Sequence, residues 1–208
     1  LGGAPYHARA QTAWANAIQP YVRSLHVFGS PVGRDRYVET GNYRKDKTDY
    51  VRTNFQFNGL LSAFPHSAIS SPSQLPLLSQ NRGDMNLVGY FSTSPRLVCR
   101  QPGPCLYSPV GRDCGKTNGS LSHLLFSPVY SQWVYGRGQL VASSDGSAKW
   151  RAMSADPGRP SDYRTMYWTR FNAQGVSTTE WRDESGCHTL LFRPDFDFQD
   201  FGRPFEES

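Results

Sequence analysis

The sequence predicts an α+β domain, one N-terminal helix packed on an antiparallel β-sheet, with a long loop-rich insertion stapled by disulfides. Three observations predict it. Apolar residues near the start recur every three or four positions, the helical period. Later segments alternate apolar and polar residues and end in turn dipeptides, the signature of hairpin strands. The 19 Gly and 15 Pro, beside 13% aromatic and only 19% charged residues, fit a folded, loop-rich chain rather than a helical bundle or a disordered one. With 208 residues, one domain over 1–208 is expected.

The helix is expected between Ala8 and Leu25, where Ala10, Trp14, Ala17, Ile18, Tyr21, Val22 and Leu25 carry the period. A break is expected at Gln19-Pro20, because proline lacks an amide proton and disfavours helical geometry in the residue before it. Residues 29–52 read as loop with short extended pieces. In TNFQFNGLL, Phe55 and Phe57 alternate ahead of Asn58-Gly59, a hairpin-turn dipeptide. A buried strand is expected over Leu75 to Ser79, in the apolar LPLL run bounded by Pro and Ser. Residues 81–121 carry Gly, Pro, three cysteines and little periodicity, and read as a loop insertion.

GQLVASSDGSAKW reads as a hairpin. With Asp145 and Gly146 central in a two-residue turn, Val141 would face Trp150 and Ser143 would face Ala148. Asp tolerates positive φ and Gly adopts it freely, so a hairpin corner accounts for this dipeptide without any chemistry. Short strands are expected over Met166 to Phe171 and Thr178 to Trp181. In the C-terminal stretch 192–208, Phe192, Phe196 and Phe198 fall at even spacing. An extended arm would present them on one face, either to the domain's own core or to a groove of a neighbouring copy.

Charge and cysteine usage narrow the setting. The net charge of +5 is spread singly along the chain, apart from Arg44-Lys45-Asp46-Lys47, so no nucleic-acid partner is expected. No run of about 18 apolar residues exists to span a bilayer. Cys99, Cys105, Cys114 and Cys187 sit among Pro, Gly and Ser, which favours two disulfides and an extracellular or cell-surface location. Four cysteines allow three connectivities, and the pairing stays open. A zinc site combining them with His188 is the rival reading, but C-x2-C spacing is missing. Asn118-Gly119-Ser120 is a glycosylation sequon.

Several of these pieces, in order, resemble the C-terminal globular domain of bacterial prepilin-like proteins. These are type IV pilin and pseudopilin relatives that carry a His, nine residues and Asp-Gly near their end. AWANAIQPYVRSLHVFGSPVGR is similar to the family's Trp helix and Gln-Pro-Tyr-Val turn leading to Cys-Pro-Ser. TNFQFNGLL resembles its Tyr-x-Tyr-Asn-Gly element, SAISSPSQLPLLSQ its Pro-Ser strand, GQLVASSDGSAKW its Asp-Gly-His-Val-Lys-Trp hairpin, and GCHTLLFRPDFDF one branch's terminal signature. The likeness runs from about Ala13 to Phe198 and is thinnest in the cysteine-bearing insertion. Two positions depart from the pattern: Tyr135 stands where the family has His, and Ser30 where it has Cys. The family's N-terminal methylated apolar helix is not in this chain. Membrane contact is therefore implied only through such a helix, and assembly follows either upstream trimming or contacts between globular surfaces alone.

The resemblance implies a pilin-like headgroup, the structural subunit of an extracellular pilus-like or pseudopilus-like filament whose partners are copies of itself. The alternative is a secreted or cell-surface carbohydrate-binding module that stacks sugars on exposed Trp and Tyr. Catalysis is not expected: G-x-S-x-G, H-E-x-x-H, P-loop and G-x-G-x-x-G patterns are missing, and the five histidines lie apart. No cofactor is required. Calcium is the one metal with candidate ligands, since Asp195-Phe196-Asp197 puts two carboxylates on one side of an extended chain, with Asp145 behind them. Some pseudopilins hold calcium in a C-terminal loop. The competing reading is that both carboxylates pair with arginines.

Overall fold

The computed structural model describes residues 14–18, 21–22, 24–37, 52–80, 85–88, 91–99, 106–109, 120–123, 136, 138–152, 162 and 180–199. Tyr135, Cys105, Cys114, Asn118 and the strand expected over 166–171 lie outside them. So do Thr178 and Thr179, half of the strand expected over 178–181.

Among the described residues the chain is mainly β, which corrects the α+β expectation. The α-helix α1 (Trp14–Ile18) is five residues long, too short for the expected packing helix. It ends two residues before Pro20, and a 3-10 turn over Leu25–Phe28 follows, with the Ser24 hydroxyl accepting from the His26 amide. The apolar spacing that suggested a long helix is shared between these short pieces. Trp14 meets Phe28 and Phe91 edge-on, ring centroids 5.8 and 6.0 Å apart, and its indole N–H donates to Ser92 O at 3.0 Å. Ala15 and Phe91 complete this small cluster.

The sheets are mixed rather than antiparallel, a second correction. In one, β1 (Arg34–Tyr37) runs parallel to β5 (Met85–Val88), and β2 (Arg52–Thr53) pairs antiparallel with β5 on its other side. The larger sheet has the order β10-β9-β4-β3-β6. It contains β3 (Phe55–Phe57), β4 (Pro76–Gln80), β6 (Ser92–Thr93), β9 (Gly138–Ser143) and β10 (Ala148–Ala152). Only β3 and β6 are parallel in it. A separate antiparallel ribbon joins β7 (Arg96–Cys99) to β8 (Ser120–His123). Parallel neighbours need long crossovers, and residues 85–99 arrive through them, so this part of the expected insertion supplies strands to all three β units.

Asn54 is where the chain leaves one sheet for the other. It is fully buried, its amide donates to Phe28 O, its Nδ2 to Met85 O, and its Oδ1 accepts from Gln80 Nε2. A buried amide of this kind joins elements only because each of its polar atoms finds a partner.

Asn58-Gly59 is not a hairpin turn. Asn58 caps a 3-10 turn over Gly59–Leu61, accepting from the Leu60 amide, and its Nδ2 donates to Pro76 O at 3.0 Å and Phe192 O at 2.9 Å. Gly59 is needed for close approach: a Cβ there would stand 2.5 Å from Thr93 Cγ2 and 2.6 Å from Pro95 O. β3 therefore meets β4 through an intervening segment that the Asn58 side chain ties down.

The main core gathers Leu60, Leu61, Leu75, Tyr107, Trp181, Leu190, Leu191, Phe192, Phe196 and Phe198. The C-terminal phenylalanines thus close the chain's own core, the first of the two readings open to them. The segment is not an extended arm over 192–199: a 3-10 turn over Leu190–Phe192 bends it, and Ser70 N bonds to Pro194 O.

Candidate functional site

Two places concentrate chemistry or exposed surface. The first is the turn Asp183–His188 with the segment that follows it. Asp183 N bonds to His188 O, Gly186 N bonds to Asp183 O, and Gly186 sits at φ 69°, so glycine is required for the reversal. The Asp183 carboxylate fills this turn. Its Oδ1 accepts from Ser185 Oγ at 2.6 Å, Cys187 N at 3.0 Å and His188 N at 3.4 Å. Its Oδ2 meets His188 Nδ1 at 3.1 Å and Arg193 at 3.2 Å.

Arg193 extends the network. Its guanidinium reaches Asp195 through two bonds, of 2.6 and 3.0 Å, and donates to Tyr107 Oη at 2.9 Å. Tyr107 in turn donates to Asp195 Oδ1, and its ring meets that of His188 edge-on at 4.8 Å. Burial opposes every charge here, and the bonds overcome it. Burial alone would raise the Asp183 carboxyl, but bonds from His188, Ser185 and the Cys187 amide bring it down to about 2. Asp195 is likewise held below the usual carboxylate range, by Arg193 and Tyr107 against its burial. Burial, with Asp195 alongside, pushes the Tyr107 phenol far above its ordinary value.

A carboxylate on the Nδ1 side of a histidine is the orienting half of a general-base arrangement. Here His188 is fully buried, and its Nε2 has no hydrogen-bond partner. The pair therefore serves to join Tyr107, the 183–188 turn and the 193–195 segment. Cys187 is disulfide-bonded, which fixes the same turn covalently. Among the described residues no cysteine is free.

The calcium candidates do not converge. Asp195 is engaged by Arg193 and Tyr107, whereas Asp197 is exposed and accepts from Gln199 N at 2.9 Å. The pairing of Asp195 with an arginine is the competing reading. Among the described residues, no group of three His, Cys, Asp or Glu side chains could hold a metal ion.

The second place is the β9–β10 hairpin. Its corner is a three-residue loop, Ser144-Asp145-Gly146, closed by Gly146 N to Ser143 O and Ser143 N to Ser147 O, with Gly146 at φ 87°. That is a turn ending in a left-handed glycine, not the expected two-residue turn. Asp145 Oδ1 accepts from the Ser147 amide and hydroxyl, which hold its carboxyl below the ordinary range. The tip docks on the preceding loop through Asp145 N to Pro72 O, Ser144 N to Leu75 O, and His66 Nε2 against Ser144 O at 3.1 Å. Asp145-Gly146 is thus a shaping corner.

The extra loop residue shifts the register by one. Trp150 pairs with Leu140, Ala148 with Ala142 and Ala152 with Gly138, whereas Val141 pairs with Lys149. A one-residue shift exchanges the faces of a strand, so Trp150 leaves the side of buried Val141. It stands instead on an outer face of Gly138, Leu140, Ala142, Ala148 and Ala152. Trp150 is 51% and Leu140 37% exposed. A Cβ on Gly138 would stand 2.5 Å from two indole atoms, so the ring packs directly against that glycine. The same face runs inward through Leu78 to Phe57, which packs on the main core.

The opposite face of this sheet is buried yet polar, carrying Gln56, Ser79, Ser92 and Gln139 beside Val141. Sequence reasoning missed Tyr107, Asp183 and Arg193, because each acquires its role from partners 10 to 88 residues away. It also missed the Leu140–Trp150 pair, which depends on one residue of loop length. Compared with models of protein families, with curated proteins and with solved structures, the chain finds no match.

Proposed function

We propose that the chain is a structural subunit of an extracellular pilus-like or pseudopilus-like filament, working by binding copies of itself rather than by catalysis. The reading keeps the self-assembly implied by the prepilin-like resemblance and drops the helix-on-sheet headgroup. The observation that carries it is the outer face of the β9–β10 ribbon, where Leu140 and Trp150 stand exposed among Ala142, Ala148 and Ala152. A contiguous apolar face of this kind marks an association surface.

The contact is face-on rather than edge-on. β10 is a terminal strand of its sheet among the described residues, and it carries Lys149 and Arg151. Like charges brought together on an edge oppose strand addition. Repetition of one heterologous contact makes a helical polymer. The disulfide at Cys187 supports an oxidising compartment.

Negative-stain microscopy and sedimentation test the reading. The wild type should form regular filaments, and Leu140→Ser with Trp150→Ser should leave folded monomers. Filaments at normal yield from the double variant, or dispersed wild-type particles at every concentration, would overturn it. A second reading, carbohydrate binding, is favoured by one feature: Trp150, half exposed, is packed against Gly138, and an aromatic ring held on a sheet surface suits stacking on a sugar. Dispersed particles that bind a glycan array through Trp150 would select that reading.

A further inference from the structure

The chain is basic overall, with a net charge of +5, but the charge is not evenly spread. Over residues 180–199 five carboxylates stand against two arginines. Both arginines are engaged: Arg193 carries Asp183 and Asp195, and Arg182 carries Glu180. The two remaining carboxylates, Glu184 and Asp197, are exposed, and among the described residues no cation meets them. Apolar surface is exposed at the same place. Leu106 is 51% exposed, and the next residue, Tyr107, is the buried one that ties this acidic segment together through Asp195, Arg193 and the ring of His188. Leu106 therefore stands out beside the acidic segment, anchored by its buried neighbour.

The β9–β10 ribbon has the complementary make-up. Its exposed Leu140 and Trp150 lie beside Lys149 and Arg151, two cations against the single carboxylate of Asp145, which is itself turned to Ser147. An apolar centre with a basic rim fits an apolar centre with an acidic rim, and such matching selects one partner surface over others. The exposed Val32 lacks this match. It adjoins Arg34 and Arg36 of β1, where Asp35 is already paired with Arg52, so contact there would bring cation to cation.

We propose that the Leu140–Trp150 face is received by Leu106 of a second copy of the chain, with Glu184 and Asp197 of that copy meeting Lys149 and Arg151. The inference rests on the filament reading and makes its contact head to tail, between two different surfaces of one chain. A pair of copies joined in this way keeps one unused surface of each kind, so addition continues.

The test is charge reversal in the full chain, read by sedimentation and light scattering. Lys149→Glu alone and Glu184→Lys alone each set like charges across the contact, and each should raise the concentration at which assembly begins about tenfold. Mixed in equal amounts, the two variants should assemble as the wild type does, because an acidic hairpin then meets a basic receiving surface and a basic hairpin an acidic one. That recovery also shows that both variants are folded. Leu106→Ser should prevent assembly while leaving the thermal melt unchanged. Suppose that the wild type assembles and Leu140→Ser with Trp150→Ser prevents it. If the charge variants then assemble normally alone, or stay dispersed when mixed, or if Leu106→Ser assembles normally, this receiving surface is wrong and the filament reading stands. If the wild type stays dispersed at every concentration, both fail.

Discussion

The Asp183–His188 turn and the β9–β10 ribbon handle polarity in opposite ways. The turn takes two carboxylates, a guanidinium, an imidazole and a phenol out of water and gives nearly every polar atom a partner inside. The ribbon leaves an indole and a leucine in water while its sheet buries glutamine and serine behind them. Burial by itself thus identifies neither the core nor the working surface of this molecule. In the turn, paired charges hold distant segments together. On the ribbon, exposed apolar area is free energy that burial within the described residues does not recover.

Substitutions in the two places should therefore differ in kind. Asp183→Ala strips His188 and Arg193 of their shared carboxylate and leaves the amides of Cys187 and His188 unbonded. Breaking a buried pair from one side costs roughly 3–5 kcal/mol, and denaturant unfolding should show a loss of that size. A loss under about 1 kcal/mol would mean that the cluster is a bystander, removing one side of the comparison.

Acid should act on the same cluster. The Asp183 carboxyl lies at about 2 in the folded chain, against an ordinary 3.8. A depressed folded value contributes stability that is present above the unfolded value and lost as pH falls through the folded one. The contribution is about 2 kcal/mol. Unfolding measured between neutral pH and pH 2 should show this loss below about pH 4, and Asp183→Asn should flatten that part of the profile.

On the ribbon, Gly138→Ala should cost about 2 kcal/mol by overpacking, because the new methyl meets the Trp150 ring and the Arg151 carbonyl. Its diagnostic result is a change in Trp150 fluorescence as the indole lifts from the sheet. An unchanged spectrum would show that the ring is not held against Gly138. The smallest effect belongs to the corner. Gly146→Ala places a side chain at φ 87° with open space around it, so only the backbone penalty applies, roughly 1 kcal/mol in a thermal melt.

Much of the local grammar was legible from the chain alone. The strand within Pro76–Gln80 and the corner at Asp145-Gly146 follow from the apolar run and glycine's freedom at positive φ, neither of which needs a distant partner. The bonded state of Cys187 agrees with the Pro, Gly and Ser around the chain's cysteines.

What the chain alone could not decide was everything set by long-range pairing. A three-residue rather than a two-residue loop changed the face on which Trp150 stands, and only the docking of the tip on Pro72 and Leu75 selects that loop. Asn58-Gly59 had the residues of a hairpin turn, but packing against Thr93 and Pro95 spent the glycine on close approach. The helical period is split between short turns, and Trp14 is fixed by Phe28, Phe91 and the Ser92 carbonyl, contacts that the period itself does not specify. Period and propensity are properties of neighbours in sequence, whereas register, counter-charges and parallel pairing are settled by contacts tens of residues apart, and those exist only once the chain has folded.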